Sequence, residues 1–406
     1  MSANGNGPLS GMRVIELAHI MSGPICGMML ADMGADVIKV EKIPGGDDCR
    51  RFAPILPGGE SASFIIVNRN KRGIGLNLKT DGGREVLHKM LATADVVTEN
   101  YRGGTMEKLG MGYEVLKAAN PGLIYCAISG YGRSGPMADK GGFDLIAQGM
   151  SGLMSMTGEP GQAPIKAGSP VTDINAGILA ALGICAAYAG KQKTGLGQMV
   201  DTSLFEAGLQ QMYWAFANYF ADGTVLPKAG SANPTSSPYQ AFRTRDGWVN
   251  IGAANQSNYD RLVGVLDIAG LAADERFQTN AGRMKYRGAL VEILTARLIE
   301  RPTAEWLAIF DAIGLPSGAV LEVPEAIAHE QTVARGMIVE TEHSTLGRVR
   351  GLGLPIHFSD GRTQESLSAP LLGEHTEDVL HEYGFTDARI RQLREEGAIL
   401  EAAAVE

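Results

Sequence analysis

The segment SPVTDINAG (169–177) sets one carboxylate, Asp173, between a proline-initiated loop and a long apolar stretch, ILAALGICAAYAG. The pattern predicts a helix beginning here, and an aspartate at a helix start has two uses. It can cap the helix, accepting from backbone N–H groups that lack a partner. It can also be where chemistry happens, because a free Asp carboxyl titrates at about 3.9 and is ionised at neutral pH. The local sequence leaves both open. A second set of residues carries charge of the opposite sign: Lys42, Lys79, Arg102, Lys108 and Lys140 sit on or just beyond predicted strand ends. Each alone is an ordinary solvated cation. Several at the ligand-binding edge of a chain with net charge −9 suit a polyphosphate ligand.

Other chemistries drop out. The histidines (His19, His88, His329, His343, His357, His375 and His381) show no ligand spacing, so no metal site is expected. No G-x-S-x-G elbow exists for a serine hydrolase. Cys26, Cys49, Cys126 and Cys185 form no C-x-x-C pair, which argues against zinc and against a disulfide framework. Cys26 and Cys185 lie in apolar helical contexts and read as buried packing residues. The chemistry comes from carboxylates, or there is none.

The elements that must position these groups alternate between strand and helix. MRVIEL (12–17), ADVIKVE (35–41), RGIGLNL (72–78), DVVTEN (95–100) and GLIYCAISG (122–130) read as strands. Helices are predicted at ICGMMLADMG and DGGREVLHKMLATA. This alternation predicts a parallel, doubly wound α/β sheet, which binds ligands at the C-terminal strand ends. Those ends are HIMSGP, EKIPGGD, NLKT, ENYRGG and SGYGRSGP. The first turn, SGPICG, lacks the G-x-G-x-x-G spacing of a dinucleotide site, and Pro24 removes an N–H donor. The stretch 223–242, rich in Gly, Pro, Ser and Ala, reads as a linker or mobile loop. GWVNIGAA and helical stretches near 256–267 and 282–312 then suggest a smaller α+β domain. Short strands in GRVRGLGLP and a polar helix around 385–400 are expected to pack back on the first domain.

The 406 residues predict two domains: a large one over 1–222, completed by 338–406, and a small one with linkers over 223–337. Composition is ordinary, at 45% hydrophobic and 20% charged. The acidic balance argues against a nucleic-acid or anionic-membrane partner. No run of about 18 uninterrupted apolar residues predicts a membrane span. The start, MSANGNGPLSG, does not read as a signal peptide, and a cytoplasmic location is expected.

In this order the segments resemble the class III coenzyme A transferases, the family of formyl-CoA transferase, carnitine-CoA transferase and 2-methylacyl-CoA racemase. The resemblance rests on GMRVIELAHIMSGPICGMMLADMGADVIKVEK, NRNKRGIGLNLK, ADVVTENYRGGTMEKLGMGY, IYCAISGYGRSGP, GFDLIAQGMSGLMSMTG, SPVTDINAGILAALG, GLGQMVDTSLFEA and APLLGEHTEDVL. It implies that Asp173 attacks an acyl-CoA thioester and carries CoA as an aspartyl thioester before passing it to an acceptor acid. A helix N-terminus beside Asp173 would favour its ionised form. Positions matching the family's CoA contacts are Met21 and Ser22, Lys42, and Leu76, Asn77, Leu78 and Lys79. Asn100, Tyr101, Arg102 and Lys108 follow, then Lys140, Gly141, Gly142 and Phe143.

The family's fold implies a Rossmann-like large domain, a smaller α+β domain and an interlocked homodimer, threaded near 200–230 and 320–345. No tightly bound cofactor is implied; CoA and acyl-CoA are substrates. Two departures bear on activity. Phe143 stands where the racemases carry a histidine, which removes one of two bases. Met21 stands where formyl-CoA transferase has glutamine, and GSANPTSSPYQAF has no glycine run, against formyl and oxalate substrates. PYQAF leans toward members acting on succinyl-CoA and other dicarboxylates. The alternatives are a 2-methylacyl-CoA racemase or isomerase, and a non-catalytic CoA-binding protein in which Asp173 is a plain cap.

Overall fold

The computed structural model describes residues 7–360 and 367–400, arranged as two units. One holds the described parts of 1–152, 168–212 and 330–406; the other holds 153–167 and 213–329. The first unit begins with β1 (Arg13–Glu16), α1 (Ser22–Asp32), β2 (Asp36–Lys42), β3 (Lys71–Leu76), α2 (Asp81–Leu91), β4 (Val96–Glu99) and β5 (Ile124–Ser129). It continues with α3 (Asp144–Met150), the 24-residue α4 (Val171–Thr194), β6 (Met199–Ser203) and α5 (Leu204–Gln210).

Side chains alternate across these strands as the pleat requires. Val14, Val37, Val96 and Ile124 stand side by side in register and face one layer. One residue on, Ile15, Ile38, Val97 and Tyr125 face the other. Apolar residues on both faces are the mark of a parallel sheet covered on both sides. Each buried Val or Ile contributes about 1.5–3 kcal/mol. The first layer is α1 and α4, through Leu30, Ala176, Ala180 and Ile184; the second includes α2, through Val86, Leu87 and Met90. By length and composition α4 could cross a membrane. In this unit its small residues lie instead against α1, α5, β5 and β6.

The second unit has a three-stranded antiparallel sheet of β7 (Tyr239–Arg243), β8 (Trp248–Gly252) and β9 (Ser317–Ala319). Helices α6 (Gln256–Leu266), α7 (Arg287–Leu298) and α8 (Thr303–Ala312) share its core of Phe242, Ile251, Leu262, Leu294, Trp306 and Phe310. The chain then adds the hairpin β10 (Ile338–His343) and β11 (Gly347–Leu352), helices α9 (Thr376–Glu382) and α10 (Asp387–Glu395), and β12 (Ile399–Leu400).

The large sheet runs β12-β3-β2-β1-β4-β5-β6, with β1 to β6 parallel and β12 antiparallel. The strand order reverses between β1 and β4, the position at which a Rossmann-type sheet opens a crevice at its C-terminal edge. The tail packs back on this sheet, since β12 pairs with β3 and Val379, Ile390 and Leu393 enter the same core.

Four local expectations need correction. The segment 223–242 is not all linker, because PYQAF enters β7. The stretch 282–312 is broken rather than continuous, with Pro302 standing between α7 and α8. β6 and β9 are strands where none was expected; both are short, and Met199–Ser203 lacks a long apolar run. Cys185 is half-buried rather than fully packed away.

Candidate active site

The reversal point is built by two loops that hold each other. After β1 the chain turns through His19, Ile20 and Met21 into α1, and after β4 it continues as Asn100, Tyr101 and Arg102. The His19 N–H donates to Asn100 Oδ1 (2.9 Å), and Asn100 Nδ2 donates back to the His19 carbonyl (2.7 Å). Ile20 adopts a left-handed φ of 68°, rare for a β-branched residue. Its N–H is held by both oxygens of Asp47, at 3.0 and 3.1 Å. Asp47 is itself buried against Lys39 Nζ (2.9 Å).

These loops, with those after β5, enclose a cavity of about 590 Å³. Met21, Ser22, Asn100, Tyr101 and Arg102 line one side of it. Lys140, Gly141, Gly142 and Phe143 line another, and Asp173 faces in from α4. Gly142 is required by contact: a Cβ there would lie 2.4 Å from the Gly130 Cα of the loop leaving β5. The side chains of Arg102 and Lys140 are exposed, with no hydrogen bond or ion pair among the described residues.

Six expected residues do not line this cavity. Leu76 is buried in the core opposite Ile399, and Leu78 packs beside the same core. Asn77 accepts from the Lys79 N–H (3.2 Å) and donates to the Gly397 carbonyl (3.2 Å), which commits its side chain to the turn. Lys42 pairs with Asp48 at 2.8 Å, while Lys79 and Lys108 are exposed.

Asp173 is not the helix cap. It is the third residue of α4, and the capping position is Pro170, which offers no side-chain acceptor. The bond a cap would make comes from another helix: Asp144 Oδ1 accepts from the Thr172 N–H (2.9 Å) and the Thr172 hydroxyl (2.7 Å). The Asp173 carboxylate is half-buried and has no hydrogen-bond or ion-pair partner among the described residues. A helix terminus favours the ionised form, yet the Asp173 carboxyl sits above its ordinary acidic range. Burial first, and the Asp144 carboxylate second, push it up to about 6. It is still largely ionised at pH 7, and it is a stronger base than a solvated aspartate.

Sequence reasoning missed three residues here. His19 lines the cavity, and burial pushes its imidazole down toward the neutral form. Arg133 also lines it, and its guanidinium donates to the buried Glu99 carboxylate and to the Tyr101 carbonyl (3.0 Å). Asp144 supplies the cap. The legible signal for His19 and Arg133 was position, since both lie in the loops that follow β1 and β5; nothing local marked Asp144.

An unpartnered carboxylate at the mouth of a parallel sheet, beside free cations, suits covalent transfer of an acid bound to a polyphosphate carrier. The comparisons agree. A family model described as CoA-transferase family III matches residues 9–376. The chain is 36% identical to the succinyl-CoA:glutarate CoA-transferase of Mus musculus, over 92% of this chain and 86% of that one. It is 39% identical to the succinate–glutarate CoA-transferase of Agrobacterium fabrum, over 92% and 95%. Among solved structures, a CAIB/BAIF family protein from Brucella suis superposes with a TM-score of 0.85 at 40% identity, covering 93% of this chain and all of that one. The protein is an enzyme that transfers CoA between acids, and the chain belongs to CoA-transferase family III.

Proposed function

We propose that transfer runs through Asp173 as a covalent CoA carrier. Its carboxylate attacks the thioester carbonyl of the donor acyl-CoA, and the thiolate of CoA leaves to give an aspartyl–acyl anhydride. The thiolate then attacks the Asp173 carbonyl, releasing the donor acid and forming the aspartyl-CoA thioester. The acceptor carboxylate repeats the two steps in reverse and departs as its CoA thioester. Each bond broken resembles the one formed, so no metal or external base is required. The observation that carries this reading is the Asp173 carboxylate, half-buried, unpartnered and open to the cavity.

CoA is proposed to lie along the strand ends, with its phosphates near Lys42, Lys79, Arg102, Lys108 and Lys140 and its thioester beside Met21, Ser22 and Phe143. The named activities of the mouse and Agrobacterium relatives support succinyl-CoA or another dicarboxylyl-CoA as donor. Phe143, 71% exposed, offers no proton where a racemase needs its second base. The enzyme is further proposed to work in the cytoplasm as an interlocked homodimer. The exposed Trp214 and Phe220, at 82% and 80%, support a covered surface there. Light scattering of the purified chain reads the dimer.

The experiment for the mechanism is trapping. Incubation with succinyl-CoA followed by borohydride or hydroxylamine should mark the peptide bearing Asp173, as read by mass spectrometry. A mark on another residue, or full activity in Asp173→Ala, rejects the mechanism. Deuterium wash-in at the α-carbon of a 2-methylacyl-CoA would instead reveal a racemase.

A further inference from the structure

The first two turns of α4 are attached to three neighbours before the helix becomes an ordinary layer on the sheet. In its second turn, Gly177 sits so close to α1 that a Cβ would lie 2.5 Å from the Ser22 carbonyl oxygen. Asn175 Nδ2 donates to the Ala207 carbonyl (3.1 Å) and to Gln210 Oε1 (3.2 Å) on α5. Asp144, at the start of α3, takes the N–H and hydroxyl of Thr172. Thr172 is fully buried and is the residue before Asp173. The second Asp144 oxygen is also engaged, accepting from Gln148 Nε2 at 2.7 Å. Both oxygens are therefore fixed, and so is the side chain that fixes Thr172.

We infer that Asp144 is a positioning residue for the transfer: it caps α4 from a neighbouring helix and so sets the direction of the Asp173 carboxylate. This rests on the reading of Asp173 as nucleophile. With Pro170 in the capping position, α4 has no cap of its own, and its first turn frays unless α3 supplies the acceptor. An aspartate one residue from the loosened Thr172 would then lose its aim. A displacement of about 1 Å at a reacting group can lower a rate by roughly 10²-fold. Asp144 does a second thing that a neutral acceptor cannot. Its negative charge, held by three donors, stands beside Asp173 and adds to the effect of burial on that carboxyl. Position and basicity of the nucleophile thus depend on one side chain that does not touch the reacting atoms.

Asp144→Asn, Asp144→Ala, Thr172→Val and Thr172→Ser separate these effects, with Asp173→Ala as reference. Asn keeps an oxygen for Thr172 and removes the charge. For Asp144→Asn the expected kcat is within about fivefold of wild type, and the acid limb of the pH profile of kcat/KM moves to lower pH. For Asp144→Ala kcat falls about 10²-fold while KM for succinyl-CoA changes less than about threefold. Thr172→Val lowers kcat and leaves the acid limb in place, and Thr172→Ser restores the rate. If Asp144→Ala does not fold, the asparagine and Thr172 variants carry the test. An unmoved acid limb in Asp144→Asn together with wild-type kcat in Thr172→Val overturns the inference, as does a loss of activity that only tracks the folded fraction. If Asp173→Ala still transfers CoA, the nucleophile reading fails first. If that variant is dead while Asp144 variants behave as wild type, only the positioning role falls.

Discussion

Two groups of charges lie within one unit and meet opposite fates. Under α1, Glu16, Lys39, Lys71 and Asp47 are all buried, and every one is paired. Lys39 Nζ reaches Glu16 (3.2 Å), Asp47 (2.9 Å) and the Ala18 carbonyl (2.9 Å). Lys71 Nζ reaches Glu16 (2.9 Å), Asn68 (2.9 Å) and the Pro24 carbonyl (2.8 Å). Burial opposes the charge on Lys39, yet Asp47, Glu16 and Glu41 together hold its pKa above the ordinary lysine range. At the cavity, Asp173, Arg102 and Lys140 have no such partners among the described residues. The first group spends its charge on the fold, shaping the Ile20 turn through Asp47. The second leaves its charge for a ligand. Charge alone does not mark a site; charge left without a partner on the wall of a cavity points to one.

The comparison can be broken in several ways. The largest effect is expected for Asp173→Ala, which should reduce CoA transfer by at least about 10³-fold, measured with succinyl-CoA and a dicarboxylic acceptor. Next, Lys39→Met should leave Asp47 and Glu16 short of a partner and destabilise the fold by about 3–5 kcal/mol in denaturant titration. Equal stability in that variant would mean the buried cluster is not structural.

The third effect tests strain at the nucleophile. The folded pKa of Asp173 is raised from 3.8 to about 6, so its charged form weakens the native state above pH 6. Asp173→Asn should therefore stabilise the protein at pH 7–8 by on the order of 2–3 kcal/mol. The gain should fade as pH falls through 6 and vanish below 3.8. In the wild type, kcat/KM for the acyl-CoA should decline as pH falls through about 6. A flat profile down to pH 5 would show that this carboxyl is not raised.

The smallest effects belong to the exposed cations. Lys140→Ala should raise KM for acyl-CoA several-fold, on the order of 1 kcal/mol, and more at low salt than high. Lys42→Ala and Lys108→Ala should do the same more weakly. No salt dependence in any of the three would remove them from the proposed CoA path.

Much of this was legible in the residues. The apolar runs of β1, β2, β4 and β5 announced a parallel sheet because both faces are buried. The position of Asp173 at a helix start was plain, as were the basic residues beyond the strands. What was not legible came from distant pairing. Leu76, matched to a CoA contact by the resemblance, is core, because β12 returns more than 300 residues later to cover it. The cap reading of Asp173 stayed open on local sequence, because nothing near it shows that Asp144 holds that place across 28 residues.

The sequence by itself therefore determined the alternation of strands and helices, the ends where ligands gather, and the single carboxylate worth testing. The first two follow from local propensity and burial pattern, which each segment carries alone; the choice of Asp173 came from the resemblance of the whole chain to the class III coenzyme A transferases. Only the tertiary structure decided which charges are neutralised in the core and which remain open. It also decided that Asp173 is raised to about 6 rather than held low. Partner, solvent access and neighbouring charge are set by segments far apart in the chain, and a pKa is the sum of all three.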